Sequence, residues 1–383
     1  MNTIQSPVIE LVPSDEERLL REAVAGIAGE FGPAYMRRLN AAGEPPSELW
    51  QALAEKGYLG VNIPEEYGGG GRGMTELCAV IEEVSGAGCA LLLMVVSPAI
   101  VGSILTRHGT AEQKDRFLRG IGSGELRVAF AVTEPDAGTN THNISTWAKQ
   151  DGASYKIRGQ KTFISGVEDA QELMVVTRTD DGVGLFIVPT DAPGLERTEI
   201  PTAPKSADKQ WQLFFDDVVV EEDRRIPGAL GALFDGLNPE RIMAAGSGLG
   251  VARRALAKAA EYARERTVWS APIGTHQAIS HPLAQCKIEL ELAALMTRKA
   301  CALYDGGFKG AGEASNMAKY AAAEVAISSV DHAIQTHGGN GVADEYGLAD
   351  MYWGARLMRI APVSREMILN YVAEHSLGLP RSY

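Results

Sequence analysis

The sequence predicts an α+β protein of several domains: a helical N-terminal domain, a small β domain in the middle and a C-terminal four-helix bundle. Helical periodicity fills the first third of the chain. Short β-branched and aromatic runs follow from about Leu126, and long helical patterns return after about Gly231. The predicted boundaries are 1–125, 126–230 and 231–383. A chain of 383 residues is long enough for two or three hydrophobic cores.

The predicted helices and strands have recognisable starts and periods. Ser14 with Glu17, and Thr110 with Gln113, form the Ser/Thr-x-x-Glu/Gln pattern of a capping box ahead of an amphipathic run. The strands are the runs LRVAFAVTE, SYKIRGQKTFIS, ELMVVTR, GLFIVPT and QWQLFFDDVVV, which DG, GVG and APG turns separate. Four long amphipathic segments follow, the last from Tyr346 onward, and their short connections predict a bundle.

Composition and charge exclude several classes of function. Apolar residues make up 45% of the chain and charged residues 22%, as in a folded soluble protein. The net charge of -13 opposes contact with phosphates, so we expect no nucleic-acid partner and no binding to an anionic membrane. The apolar run Cys89–Leu105 contains Pro98 and Gly102, and it predicts a buried helix pair and no membrane insertion.

Cysteine usage and the N-terminus predict a cytoplasmic protein. The four cysteines, Cys78, Cys89, Cys286 and Cys301, show no CxxC spacing, which favours free thiols in a reducing compartment. The opening MNTIQSPVIELVPSDEE lacks the basic and apolar regions of a secretory leader.

Motifs for several other chemistries are absent or out of context. GSGLG (Gly246–Gly250) follows no strand, so close helix packing is favoured over dinucleotide binding. The GGGGRG stretch lacks the Lys-Ser/Thr of a phosphate-binding loop and predicts a turn. His276 and His281 have no carboxylate at ligand spacing, so no metal site is predicted. No GxSxG motif is present, and an enzyme of this sequence would depend on a bound organic cofactor.

The stretch GLNPERIMAA (residues 236–245) places a carboxylate beside apolar and small residues. One interpretation is local: Asn238 caps a helix, Pro239 takes its first position, and Glu240 meets the positive end of the helix dipole. The other interpretation is functional, since a carboxylate among apolar residues has a perturbed pKa, and such groups occur at functional sites.

Several segments in a fixed order carry a resemblance to a known family. They are GYLGVNIPEEYGGGG, FAVTEPDAGTNT, KTFIS, LFFDDVVV, RTVWSAPIGTHQAI and QTHGGNG. Together they resemble the acyl-CoA dehydrogenase family of flavoproteins over essentially the whole chain, with Trp269 in place of the usual Phe. The resemblance implies FAD, an acyl-CoA substrate of fatty-acid or branched-chain metabolism, and electron-transfer flavoprotein or a similar electron acceptor. It also implies a homotetramer, because family members place residues like Arg266 and Gln335 against a neighbouring subunit's flavin.

The resemblance also implies which residues contact the ligands. A flavin gathers negative charge at its pyrimidine edge on reduction, and backbone N–H groups with the Thr133 hydroxyl can stabilise that charge. A pyrophosphate favours an open glycine backbone and a cation, which Gly338, Gly339 and Arg266 can provide. The implied cofactor-binding residues are Phe130, Val132, Thr133, Gly138, Thr139, Phe163, Ile164, Ser165, Arg266, Trp269, Gln277, Gln335, Gly338, Gly339, Ser364 and Glu366, with Thr139, Asn238 and Arg241 implied for the substrate.

The chain departs from the family pattern at the usual base. Most members carry a Glu in an EGTxE motif, which takes the α-proton while flavin N5 accepts the β-hydrogen. Alignment with ARLMRIAPVSREM puts Pro362 in the position of that Glu, and Glu366 alone remains of the acidic pair. A minority of members, typified by isovaleryl-CoA dehydrogenase, carry the base before the arginine of a D/N-x-E-R stretch. NPER matches that stretch, so the resemblance implies Glu240 as the base.

Pro362 has a second consequence, because a backbone N–H at its position helps to hold the thioester carbonyl in the family and proline has no N–H. Two alternatives to α,β-desaturation therefore stay open. One is a non-catalytic or partner-dependent subunit of the same fold, and the other is a flavin monooxygenase or oxidase.

Overall fold

The computed structural model describes residues 9–203 and 206–382, with the side chain of Ala229 left aside. The first eight residues, part of the segment in which no secretory leader is predicted, lie outside this range. The chain divides into two compact units. One contains Ala34–Gly73 and Leu91–Glu240, and the other contains the described parts of Met1–Pro33, Met74–Ala90 and Arg241–Tyr383.

Helices fill the first part of the chain, as predicted. They are α1 (Asp15–Ala42), α2 (Ser47–Ala54), α3 (Met74–Gly86), α4 (Leu92–Met94), α5 (Gly102–His108), α6 (Ala111–Gln113) and α7 (Arg119–Ser123), with π-helical turns at Val95–Val101 and Lys114–Leu118. Residues 92–108 therefore form one continuous helical path, and the predicted buried helix pair is wrong. Pro98 lies inside the π-helical turn, where backbone hydrogen bonds join residues i and i+5. The helix therefore continues past this proline.

Both predicted capping boxes mark real helix starts. Thr110 and Gln113 bond reciprocally, with Gln113 N–H donating to Thr110 Oγ1 at 3.2 Å and Thr110 N–H donating to Gln113 Oε1 at 3.1 Å. Ser14 Oγ accepts from Glu17 N–H at 3.2 Å, but the Glu17 carboxylate turns to arginine side chains instead of returning to the cap.

The predicted β domain is an eight-stranded sheet. Its strands are β1 (Val128–Ala131), β2 (Trp147–Asp151), β3 (Ser154–Ser165), β4 (Glu172–Thr179), β5 (Gly182–Pro189), β6 (Leu195–Ile200), β7 (Gln210–Glu221) and β8 (Arg225–Ile226). The strand order is β6-β7-β3-β2-β4-β5-β8, and β1 pairs in parallel with β4. All five predicted strands are confirmed, whereas β2, β6 and β8 are short or largely polar and were not predicted.

The sheet separates two apolar clusters. Phe130, Met174 and Ile187 pack with residues of the helical segment 100–121 on one face. Ala129, Ile157 and Ile164 belong to a second cluster, which residues of the β domain itself complete. Neighbouring residues of β1 thus enter different cores, as the alternation of a strand requires.

Helices return after the sheet, as predicted, but two boundaries differ from the prediction. The helices are α8 (Ala229–Glu265), α9 (Gln277–Asp305), α10 (Ala311–His337), α11 (Leu348–Leu357) and α12 (Arg365–Tyr371), and a two-stranded hairpin, β9 (Thr267–Val268) and β10 (Ala271–Pro272), precedes α9. The fourth predicted long helix is broken at 358–364, where Ala361 and Pro362 occur. Helix α8 starts nine residues before Asn238, so the helix-cap interpretation of GLNPERIMAA is wrong: Pro239 lies inside a helix.

The glycine-rich stretch after Pro64 is a tightly packed turn. A Cβ atom on Gly69 would lie 2.2 Å from the Ile63 carbonyl oxygen, and one on Gly70 would lie 2.9 Å from the Val61 carbonyl oxygen. Real Cβ contacts are never so short, so glycine is required here by backbone-to-backbone packing.

The described residues bear on three further features of the chain. No helix in the described part of the chain is long and apolar enough to cross a membrane. All four cysteines are buried free thiols, as predicted. Among the described residues, no group of three or more His, Cys, Asp or Glu side chains is arranged to hold a metal ion.

Candidate functional site

The segment after β1, predicted to contact a flavin, is organised around a buried carboxylate. Glu134 is 3% exposed. Its carboxylate accepts hydrogen bonds from Ser145 N–H at 2.6 Å, from the Ser145 hydroxyl at 2.8 Å and from Thr146 N–H at 2.9 Å. The backbones of Glu134 and Ala137 exchange hydrogen bonds of 3.2 and 3.1 Å, which close the turn. One side chain therefore joins the turn to the segment that returns toward β2.

Lys161 of β3 completes this arrangement. Its side chain is 0% exposed, and Nζ donates to Glu134 Oε1 at 2.9 Å and to the carbonyl of Val132 at 3.0 Å. Burial lowers the pKa of Lys161 to about 8 although Glu134 opposes the shift. Burial raises the pKa of Glu134, but hydrogen bonds from Thr146, Lys161 and Ser145 outweigh it and lower that pKa to about 2. A charged pair thus lies beneath the predicted flavin segment.

A bulge in β3 exposes an aromatic ring beside this pair. Lys161 pairs with Leu213 and Ile164 with Trp211, so β3 has one extra residue between them. Phe163 lies in this bulge, has a φ of 56° and is 60% exposed, whereas Ile164 is 2% exposed. A bulky residue with positive φ is strained, and such strain persists only where the structure enforces it.

The other predicted residues of this unit lie around the same turn. Thr162 N–H donates to the Thr133 carbonyl at 2.9 Å, which brings Thr133 next to the bulge. Gly138 and Thr139 are exposed, and the Ser165 hydroxyl donates to Gln210 Oε1 at 3.0 Å. Phe130 is 9% exposed and packs in the core.

The predicted glycine turn after α10 belongs to the other unit. Gly338 has φ of 58°, and a Cβ on Gly338 or Gly339 would meet nothing within 4 Å, so the backbone is open. The Gly338 N–H donates to the carbonyl of Gln335, whose side chain is exposed. This turn has the open glycine backbone that a phosphate needs.

Aromatic side chains support this turn. His337 is 5% exposed and stacks on Tyr262 with centroids 4.2 Å apart. Burial lowers the pKa of His337, so the ring is neutral near pH 7. Asn340 Nδ2 donates to the hydroxyls of Tyr262 and Tyr346, each at 3.1 Å. These contacts hold the glycines in one conformation.

The β9–β10 hairpin carries the predicted Arg266 and Trp269. The Ile273 N–H donates to the Arg266 carbonyl at 2.8 Å and closes the hairpin. Trp269 lies at its tip with φ of 61° and is 95% exposed. Gln277 opens α9 and is exposed. These side chains have no role in the core of their own unit.

Glu240 lies inside α8, about three turns from its start. Its side chain and that of Asn238 are half-buried, as is Arg241, and Ile242 and Met243 that follow are 0% exposed. One turn earlier, a Cβ on Gly236 would lie 2.6 Å from Ile104 Cδ1, so the helix approaches α5 closely. The carboxylate is therefore held on a packed helix and does not serve as a helix cap.

The segment 358–364, which aligns with the usual base of the family that the sequence resembles, is held by α10. Lys319 is 1% exposed and donates to the Val363 carbonyl at 2.5 Å. Glu324 accepts from Arg359 at 2.7 Å and pairs with Arg365 at 3.2 Å. Ser364 caps α12 by accepting from Met367 N–H at 3.3 Å.

Pro362 and Glu366 show what this segment contains in place of the usual base. Pro362 is exposed and brings neither a carboxylate nor an N–H, and Glu366 is an exposed residue in the first turn of α12. The segment 358–364 itself contains no carboxylate, and Glu366, which follows it, lies on the surface of α12.

The comparisons with known proteins cover nearly the whole chain. Acyl-CoA dehydrogenase family models match residues 14–125 (N-terminal domain), 129–218 (middle domain) and 231–377 (C-terminal domain). Acyl-CoA dehydrogenase FadE12 of Mycobacterium tuberculosis is 53% identical over 97% of this chain and 98% of its own. The 3-(aryl)acrylate reductase of Clostridium sporogenes is 31% identical over 95% of this chain and 99% of its own.

Solved structures agree with these relatives. The structure of glutaryl-coenzyme A dehydrogenase with glutaryl-CoA has a TM-score of 0.93 at 27% identity and covers 98% of both chains. An FAD complex of PigA has a TM-score of 0.90 at 26% identity, with 97% of this chain and 100% of the other covered. The chain belongs to the acyl-CoA dehydrogenase family of FAD-dependent oxidoreductases.

Proposed function

We propose that the protein catalyses α,β-desaturation of an acyl-CoA thioester with Glu240 as the base for the α-proton. The observation that carries the proposal is the half-buried carboxylate of Glu240 inside α8, together with Pro362 in the position of the more common base. Glu240 takes the α-proton onto a carboxylate oxygen, and Arg241, next along the helix, helps to set its charge state. Asn238 and Thr139 bind the substrate.

The residues described above fit FAD, which when bound supplies the two-electron acceptor for the β-hydrogen. Phe163 offers an exposed aromatic face on a strained bulge, next to the backbone of Val132 and Thr133. The open backbone at Gly338 and Gly339 suits a pyrophosphate. The remaining proposed contacts are Phe130, Gly138, Thr139, Ile164, Ser165, Arg266, Trp269, Gln277, Gln335, Ser364 and Glu366.

The proposed reaction predicts a colour change in the purified protein. We expect it to purify yellow and to lose its flavin absorbance when mixed anaerobically with members of an acyl-CoA panel. The panel should span straight and branched chains and include the same acyl groups on a carrier protein. A yellow protein that no thioester bleaches supports the non-catalytic alternative. The oxidase alternative is tested by reoxidation of the bleached flavin. That alternative is supported if oxygen from air restores the flavin absorbance faster than electron-transfer flavoprotein does.

We also propose a cytoplasmic homotetramer that passes electrons to electron-transfer flavoprotein. Trp269 supports the oligomer because a large apolar side chain that is 95% exposed and conformationally strained finds no partner within its own hairpin. Light scattering of the FAD-loaded protein should give four times the mass of the chain, 40.9 kDa. A monomer that retains FAD contradicts this proposal, and Trp269→Ala should lower both the mass and the FAD content if the assembly forms as proposed.

A further inference from the structure

The buried pair Lys161–Glu134 takes no part in the reaction proposed above, yet it lies directly under the turn that contacts the flavin. Buried ion pairs are costly to desolvate and are seldom the most stable solution for a core. Lys161 is 0% exposed on its side chain and Glu134 2%, and four hydrogen bonds besides their own use the pair's polar atoms. A gain in stability is therefore a weak explanation for the pair, and its hydrogen bonds indicate a second use.

The contact of Lys161 with the Val132 carbonyl shows what that use is. Every described peptide bond except Ala361–Pro362 is trans, so the carbonyl of Val132 and the N–H of Thr133 point in opposite directions. Lys161 Nζ holds the carbonyl at 3.0 Å inside the protein. The Thr133 N–H is consequently directed away from Lys161, and it makes none of the loop hydrogen bonds among the described residues.

Glu134 fixes the position of the lysine and of the turn at once. Its second carboxylate oxygen is held by Ser145, and the oxygen that meets Lys161 also accepts from Thr146 N–H. Thr146 in turn donates from Oγ1 to the Gln160 carbonyl at 3.1 Å, next to Lys161 in β3. The lysine head therefore cannot follow a movement of the Val132–Thr133 peptide, and the peptide stays in one orientation.

We propose that Lys161 and Glu134 are positioning residues that aim the Thr133 amide at the flavin. This inference deepens the proposed function, since it rests on the placement of the flavin beside Thr133 and Phe163. A fixed N–H donor is worth more to a bound anionic edge than one that must reorient, because no reorganisation accompanies binding. The pair therefore contributes to flavin affinity and to the stability of the reduced flavin.

The test compares three variants by FAD dissociation constant, flavin midpoint potential and thermal unfolding. We expect Glu134→Gln to raise the FAD dissociation constant at least ~10-fold, the scale found when an outer residue that orients a binding group is removed. The potential should fall, because the reduced, anionic flavin loses a fixed donor. Glu172→Gln is the matched control: it removes the charge from a pair of 2.9 Å with Arg224 at 14%/13% exposure, elsewhere in the β domain.

The double variant Glu134→Gln/Lys161→Met separates positioning from stability. Removing both charges should restore thermal unfolding toward that of the wild type, since no unpaired charge stays buried. The FAD dissociation constant should stay raised, because Lys161→Met removes the donor to the Val132 carbonyl. If the double variant recovers both properties, or if Glu134→Gln changes only stability as Glu172→Gln does, the inference is wrong.

A further variant distinguishes this failure from a failure of the flavin placement. Phe163→Leu keeps apolar bulk but removes the aromatic face. If Phe163→Leu leaves FAD affinity unchanged, the placement of the flavin at this turn is wrong. If Phe163→Leu weakens FAD binding and Glu134→Gln does not, the placement of the flavin at this turn is supported, and the positioning role of Lys161 and Glu134 is wrong.

Discussion

Glu240→Gln is expected to slow reduction of the bound flavin by acyl-CoA at least ~10²-fold while FAD stays bound. The substitution preserves the shape of the side chain, but an amide does not accept the α-proton at neutral pH. No proposed flavin contact is altered, so the absorbance spectrum of the resting enzyme should match that of the wild type. Stopped-flow mixing under anaerobic conditions measures the loss directly, because it isolates the step in which Glu240 acts.

The control for this prediction is the other acidic residue near the usual base position. Glu366 is exposed in the first turn of α12, one helical turn beyond Pro362, and Glu366→Gln removes the same charge. Because Glu366 is itself a proposed FAD contact, the comparison is made with both variants saturated with FAD, and under that condition we expect Glu366→Gln to reduce its flavin at close to the wild-type rate. The assignment of Glu240 fails if the two variants behave in the reverse way.

The second large effect concerns stability. Glu17 is 5% exposed, and its carboxylate accepts from Arg21 at 2.9 Å and from both terminal nitrogens of Arg298 at 3.0 and 2.8 Å. Arg21 also pairs with Glu82 and Glu83 of α3. Glu17→Gln removes a buried carboxylate that pairs with Arg21 and Arg298, so both guanidinium groups lose a negatively charged partner in a site with little access to water. We expect a loss of about 3 kcal/mol in the free energy of unfolding, measured by chemical denaturation.

Two comparisons test the origin of that loss. Asp15→Asn, half a turn earlier, removes a charge that is 90% exposed and pairs with Arg18, and it should change stability by no more than ~0.5 kcal/mol. Acid should abolish the difference between Glu17→Gln and the wild type. Burial raises the pKa of Glu17, but its hydrogen bonds to Arg298 and Arg21 outweigh burial and hold that pKa below its ordinary value of 4.5.

The sign of this pH effect follows from that shift. A pKa that is lower in the folded state means that the unfolded chain binds the proton more readily, so the Glu17 contribution is full above pH 4.5. It falls as the pH drops through the folded pKa. A stability difference that is the same at pH 7 and at low pH would show that the loss comes from packing and not from charge.

The order of helical and β segments was predictable because each carries its own period. Strand β3 shows what such periodicity does not predict. Tyr155, Ile157 and Lys161 occupy inward positions of the alternating pattern, and a lysine at such a position indicates a buried carboxylate partner. That signal was available in the sequence, whereas its partner Glu134 belongs to a different segment and could be assigned only from the fold.

The exposure of Phe163 was not predictable from alternation. With a regular strand, Phe163 would share the inward face of Lys161, and Ile164 would point outward. The bulge reverses both, because one extra residue shifts the register by one and every following side chain changes face. The bulge depends on pairing with β7, which no local pattern in β3 records. Similarly, the start of α8 was missed because Asn-Pro is a strong helix-start signal that the packed helix overrides.

The tight packing around the glycine-rich turn decides where the protein can carry a label. By composition, PEEYGGGGRG looks like a loop that would accept a fluorophore or an affinity peptide. Its backbone, however, packs closely against the backbone of Ile63 at Gly69 and of Val61 at Gly70, so an insertion there would push apart segments that the fold keeps together. The tip between β2 and β3 is different: Gly152 has φ of 64° and nothing lies within 4 Å of its Cβ position. A tag for imaging or immobilisation should therefore be inserted beside Gly152 with that glycine kept, because a φ of 64° is strained for a residue with a side chain.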